Sequence, residues 1–169
     1  SGLITELPES IRLGKLNLMA GKHAKSSSAF QTAYTYFTNG IALLEEDAWE
    51  KQYDLTQALY LEAVESAYLI SDFTQMEHLA EPMMKHAQTI LDKVKIYEIR
   101  ILAAIAQNMM AEAVEIAREV LGLLDVPLPL TPEDSDIIEA YSNTQAMLAG
   151  KSIEEFSDLP AMTDPDKLA

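Results

Sequence analysis

Three stretches of this chain repeat one ordered set of small and aromatic residues, and that repetition constrains the fold more than any other feature. The first stretch holds Ala20-Gly21, Ala24, Ala33, Phe37 and Gly40. The second holds Tyr60, Ala63, Ala67, Ser71-Asp72-Phe73, Met76, Ala80 and Met83, and the third Tyr97, Ile101, Ala104, Asn108, Met110, Ala113, Ala117 and Val120. The units are offset by 43 and then 37 residues. A small residue returns where two antiparallel helices cross closely, and a large one returns at each flank. One such pair cannot bury its apolar stripe alone, so neighbouring pairs must stack.

The rest of the chain agrees with this pattern. No run alternates apolar and polar residues between Gly-rich turns, whereas the helical period is pervasive. The expectation is an all-α fold of about seven helices, near 8–23, 27–44, 48–70, 72–87, 88–107, 110–124 and 132–149. Asp72 with Gln75 reads as a capping box. Ser26–Ser28 offer caps for the second helix, and Thr131 with Pro132 suits the N-cap and first turn of the last. Pro82 should kink or break its helix near Ala80–Glu81. The stretch 125–130, "DVPLPL", must be extended and is the best linker. These signals divide the chain into helical pairs over 1–125, a linker and packing helix over 126–149, and an irregular tail over 150–169.

The single tryptophan sits in "DAWEKQYDL" among acidic and polar neighbours. Trp49, Tyr53, Thr56, Tyr60, Ala63 and Ala67 fall at i, i+4, i+7, i+11, i+14 and i+18, one face of a helix over 48–70. Trp49 is therefore expected to top a packed seam rather than await a ligand.

Twelve basic residues against 27 acidic ones leave a formal charge of −15, concentrated after residue 40. Such a surface repels phosphate backbones and anionic lipids, which argues against nucleic-acid and membrane partners. The absence of cysteine removes disulfides, thiol nucleophiles and Cys-based zinc sites. It fits a cytoplasmic setting. No apolar run reaches the roughly 18 residues of a membrane span. Ser1-Gly2, with no initiator Met and no signal-peptide profile, reads as a cloning remnant on a piece of a longer chain.

Several local motifs carry no chemistry. "AGKS" at 149–152 lacks the glycine of a phosphate-binding loop, having Gln145 in its place, so Gly150 is read as a helix C-cap. His78 and His86 with Glu81 make no metal cluster. Of the pairs Met83-Met84 and Met109-Met110, one residue each is expected to be exposed. No nucleophile–base set is present, so neither a catalytic site nor a cofactor is expected.

The repeated pattern resembles the tetratricopeptide repeat, although its offsets exceed that family's roughly 34 residues. That resemblance implies a right-handed superhelix of antiparallel helix pairs. A longer ordered set is more distinctive: Trp49 and Tyr53, Glu65-Ser66-Ala67-Tyr68, Asp92-Lys93-Val94-Lys95, and the run Leu123–Pro129. It resembles the helical region downstream of the AAA-type ATPase domain in large bacterial signalling kinases. Those chains join a serine/threonine kinase, the ATPase, this region, a GAF domain and a sensor histidine kinase. Ser66 departs from the pattern, where Glu is more usual, as does Asp125, where glycine is.

The resemblance implies that phosphotransfer and ATP binding belong to the parent chain. This segment would be a non-catalytic module that binds other domains of that chain or partner signalling proteins, and its end helices could self-associate. If the first helix of each pair lines a concave face, the contact residues are Leu61, Glu65, Tyr68, Lys95, Glu98 and Leu102. The alternative is a small-molecule-sensing helical domain, with Tyr34, Tyr36, Tyr60 and Tyr68 lining an apolar pocket between helices.

Overall fold

A computed structural model describes residues 9–126, 128–148, 161–164 and 168. Gly150 and most of the tail expected after it lie outside the described residues. Those described form eight helices and no strand. They are α1 (Glu9–Ser26), α2 (Phe30–Ala42), α3 (Ala48–Lys51), α4 (Tyr53–Leu69), α5 (Phe73–His86), α6 (Ile90–Ala106), α7 (Met110–Leu123) and α8 (Asp134–Leu148). The fold is all-α and repeat-like. Two compact units divide it, Ser1–Ala117 and Arg118–Ala169.

In the first unit α1 packs on α2, α2 on α4, and α4 on α5, while α4 also meets α1 and α6. Each close approach falls on a small residue. A Cβ on Gly21 would overlap the Phe37 ring, and one on Gly40 would lie 2.6 Å from Leu59 Cδ2 and 3.2 Å from Asn17 Cβ. Phe37 and Leu59 are wholly buried because those glycines admit them. The core continues through Ala63, Val64, Ala67, Met76, Ala80 and Ile96 to Ala103. It is one contiguous seam through α1, α2, α4, α5 and α6, which no single helix pair could bury alone.

The turn inside each pair shows the repeat most directly. Ser28, Ser71 and Asn108 adopt left-handed φ of 59°, 62° and 61°. Their positions reproduce the 43- and 37-residue offsets of the small residues. In each turn the following amide reaches back to a small buried residue: Ala29 N–H to Ala24 O (2.9 Å), Asp72 to Ala67 (2.9 Å) and Met109 to Ala104 (2.8 Å). These bonds close the orphan carbonyls of the helix end and reverse the chain in the same way each time.

Four boundaries differ from the sequence expectations. The expected helix over 48–70 is broken at Gln52, whose φ of −142° and ψ of 42° are not helical. The freed end is satisfied locally, since Ala48 O accepts both Gln52 N–H (2.8 Å) and the buried Thr56 hydroxyl (3.2 Å). No break occurs at Pro82, and α5 runs through it to His86. The amide that proline lacks is one interior bond, and the apolar face of Met76, Leu79, Ala80 and Met83 is buried on both sides of it. Ser26–Ser28 do not cap α2. The Ser26 and Ser27 hydroxyls donate back to His23 O, and Ala29 is the N-cap residue without a side-chain bond. Finally, α8 starts at Asp134, where the Asp136 carboxylate accepts Glu133 N–H at 2.9 Å in place of a Thr131 cap.

Asp72 does cap α5, accepting Gln75 N–H at 3.1 Å. Met83 is buried and Met84 half-buried, but Met109 and Met110 are both exposed, contrary to the expectation of one each. No described helix is long and apolar enough to cross a membrane.

Candidate functional site

The first helices of the three pairs, α1, α4 and α6, lie side by side, with α4 in contact with both others. Glu62 and Glu65 on α4 face Lys22 and Lys25 on α1. Lys25 Nζ ion-pairs with Glu62 and lies 2.8 Å from Glu65 Oε2, and Lys22 Nζ is 3.5 Å from Glu62 Oε1. Burial alone would lower the Lys25 pKa, but hydrogen bonds and charge attraction from Glu62 and Glu65 hold it above the ordinary lysine value. On α6, Lys95 and Glu98 pair with each other at 3.2 Å, one turn apart and in solvent.

The six residues expected on this face divide into two kinds. Leu61 and Tyr68 are half-buried and pack against the core, so part of their surface serves the fold. Glu65 is half-buried in its pair with Lys25. Lys95 and Glu98 are exposed, and Leu102 is 48% exposed beside Ile105 at 44%. The structure thus brings an exposed apolar pair and a set of acid–base pairs onto adjoining first helices. Ile105 escaped the sequence reading, although it lies three residues beyond Leu102 on the same helix.

A second feature was legible only in space. Asp92, in the first turn of α6, gathers four hydrogen bonds at its carboxylate. Tyr53 Oη donates to Oδ2 at 2.9 Å, Gln57 Nε2 to Oδ1 at 2.5 Å, and the Gln88 and Thr89 amides to Oδ2 at 3.1 and 2.9 Å. In the capping box of α6, the Thr89 hydroxyl accepts Asp92 N–H at 3.1 Å, the fifth bond of the cluster. Burial acts to raise the Asp92 pKa, yet the bonds from Tyr53, Gln57 and Thr89 together hold it below the ordinary carboxylate value. Burial chiefly, with the Asp92 charge, pushes the Tyr53 phenol up against the lowering effect of the Gln88 amide, so it remains a donor.

Trp49 stands beside this cluster. Its indole stacks on the exposed His86 ring at 5.0 Å and 5° between planes, and lies 5.2 Å from Tyr60 and 5.9 Å from Tyr53. It is half-buried and packed against the core. The seam from Trp49 to Tyr60 therefore survives the break at Gln52.

Of the tyrosines expected to line a ligand pocket, Tyr34, Tyr60 and Tyr68 are half-buried in packing and Tyr36 is 39% exposed. A cleft of about 700 Å³ lies elsewhere, between Ile11 and Lys15 of α1 and the segment Glu50–Leu55, and includes none of the four. Among the described residues, no three His, Asp or Glu side chains converge as a metal site would require.

No family model matches the chain, and no solved structure matches it. Over 160 residues, 89% of this chain, it is 24% identical to the hybrid signal transduction histidine kinase G of Dictyostelium discoideum. The chain spans 5% of that protein's length. The similarity links this helical unit to one segment of a signal-transduction histidine kinase. It lends nothing to a bacterial source.

Proposed function

We propose that the chain is a non-catalytic, tetratricopeptide-like module of a multidomain signal-transduction kinase, relaying the state of an ATPase region to kinase domains through protein contacts. The observation that carries this reading is the exposed array on α6, Lys95, Glu98, Leu102 and Ile105, which the core does not require. The similarity to a segment of a hybrid histidine kinase supports the setting. Serine/threonine and histidine phosphotransfer and ATP binding would then reside in other parts of the parent chain. The partners are those domains or other cytoplasmic signalling proteins. The acidic surface argues against nucleic acid and anionic membrane.

The test is a pull-down of the flanking domains of the parent chain with the wild type and with Glu65→Lys/Glu98→Lys. Reversing two interfacial charges should weaken capture at least about tenfold, since like charges brought together cost over a kilocalorie per mole. The melting temperature should stay within a few degrees. Undiminished capture by a folded double variant rejects the assignment of this face.

The 700 Å³ cleft supports a second reading, small-molecule sensing, at a place other than the tyrosines. A ligand at 100 times its Kd would add about 2.7 kcal/mol to stability. A thermal-shift screen in which Leu55→Trp abolishes a hit would support it, and a screen without hits removes it.

A further inference from the structure

The repeat predicts how each junction between pairs should be filled, and one junction departs from that rule. In the first, Tyr34 of α2 and Ile70 after α4 are half-buried, and Tyr34 packs against the core. Its phenol is pushed up by burial and then by the nearby charge of Asp72, the N-cap residue of α5. Applying the 43- and 37-residue offsets, the second junction has Glu77 in place of Tyr34 and Gln107 in place of Ile70.

Both replacements turn aside. The Glu77 carboxylate binds the Arg100 guanidinium through Nε at 3.1 and 3.2 Å and Nη2 at 2.7 Å. The Gln107 amide folds back onto its own helix and donates to Ala103 O at 3.1 Å. What remains is an open groove of about 390 Å³ between α5, α6 and α7. Its apolar wall is Phe73, Met76, Ala104, Met109 and Ile116. Met109 is 43% exposed there. At the rim Arg100 is neutralised by Glu77, whereas Glu112 is exposed and has no counter-charge among the described residues.

From this we infer that the groove is a docking site for a partner peptide carrying an aromatic side chain next to a lysine or arginine. The aromatic ring takes the place that Tyr34 fills in the preceding junction, and the cation meets Glu112. Two observations select this occupant. The chain's own solution to the same junction is a tyrosine ring, and the net charge at the rim is negative on a chain of formal charge −15. The volume lies at the lower end of ligand-pocket sizes, which suits one ring and the stem of its neighbour. The inference rests on reading the chain as an interaction module. The groove shares no residue with the face of Leu61, Glu65, Tyr68, Lys95, Glu98 and Leu102.

The test is methyl NMR of the whole 169-residue chain, labelled at Met and Ile, titrated with N-acetyl-Tyr-Arg-amide and N-acetyl-Tyr-Glu-amide. The Met76, Met109 and Ile116 methyls should shift, and the arginine peptide should bind about fivefold more tightly than the glutamate one, as one exposed charge pair allows. Glu112→Lys should reverse that preference. Gln107→Tyr, on an exposed position, should plug the groove and remove the shifts while the fold is kept. Unmoved methyls, equal binding of the two peptides, or shifts that survive Gln107→Tyr would each overturn the inference. So would tyramine saturating the methyls as tightly as the arginine peptide, or concentration-dependent shifts without peptide, which indicate a small ligand or a second copy. Lost methyl shifts with the pull-down intact reject the groove alone. Retained shifts with a pull-down indifferent to Glu65 and Glu98 reject the first-helix face alone.

Discussion

Tyr53 and Asp92, 39 residues apart, meet at 2.9 Å, and the same phenolic oxygen accepts Gln88 N–H at 3.1 Å. The pair joins the start of α4 to the loop between α5 and α6, so a helix cap also serves as a tertiary clamp.

Removing either partner should separate the cap from the clamp. Tyr53→Phe loses the bond to the Asp92 carboxylate and the one accepted from Gln88 N–H, and should cost about 1.5–3 kcal/mol. Asp92→Ala also loses the carboxylate half of the capping box and the Gln57 bond, while the Thr89 hydroxyl still caps the backbone N–H, and should cost about 3 kcal/mol or more. Urea denaturation measures both. Equal losses would mean that the Tyr53 bond carries the entire effect.

The clamp also sets an acid limit. The folded-state pKa of Asp92 lies below its unfolded value. Its stabilisation is therefore present above about pH 4 and is lost as pH falls through the lower folded value. Between pH 5 and 3 the wild type should lose more stability than Asp92→Asn. Lys25 behaves oppositely. Its raised pKa stabilises fully below about pH 10.4, and that contribution disappears as pH rises through the folded value. Parallel acid profiles for wild type and Asp92→Asn would remove Asp92 as the group responsible.

Glycine substitutions should sort by helix crossing. Gly21→Ala drives a methyl into Phe37, and Gly40→Ala drives one into Leu59, so each should cost about 1–3 kcal/mol or more. Gly122→Ala meets nothing within 4 Å and should stabilise by up to about 1 kcal/mol through helix propensity. Thermal melts of the three variants check the order.

Ser66 is wholly buried on α4, and its hydroxyl has no hydrogen-bond partner among the described residues. A buried hydroxyl left unpaired costs about 1–3 kcal/mol, so Ser66→Ala should raise stability by about 1 kcal/mol. A lower melting temperature in that variant would show that the hydroxyl is satisfied in solution.

Much of the fold could be read from the chain. Gly21, Gly40, Ala63, Ala67 and Ala104 stand where helices cross, because side-chain size limits how closely two backbones approach. The turns at Ser28, Ser71 and Asn108 keep the same offsets, because the small buried residue and the turn that follows it are one local unit. Lys95, Glu98 and Leu102 of the candidate face were named from helical spacing, which determines which residues share a helix side, and Ile105 was not.

Other features depend on distances that no local period encodes. Helical spacing carried Trp49 and Tyr60 onto one face but could not reveal the break at Gln52, where Thr56 and Ala48 satisfy each other. No local spacing links Asp92 to Tyr53 and Gln57, which only folding brings to its carboxylate. The groove beside Met109 exists because Glu77 and Gln107 found bonds elsewhere. Sequence determined which helices pair and how closely, through residue size and spacing. Tertiary structure alone decided which polar groups are satisfied and which space is left open, because both are settled between residues far apart in the chain.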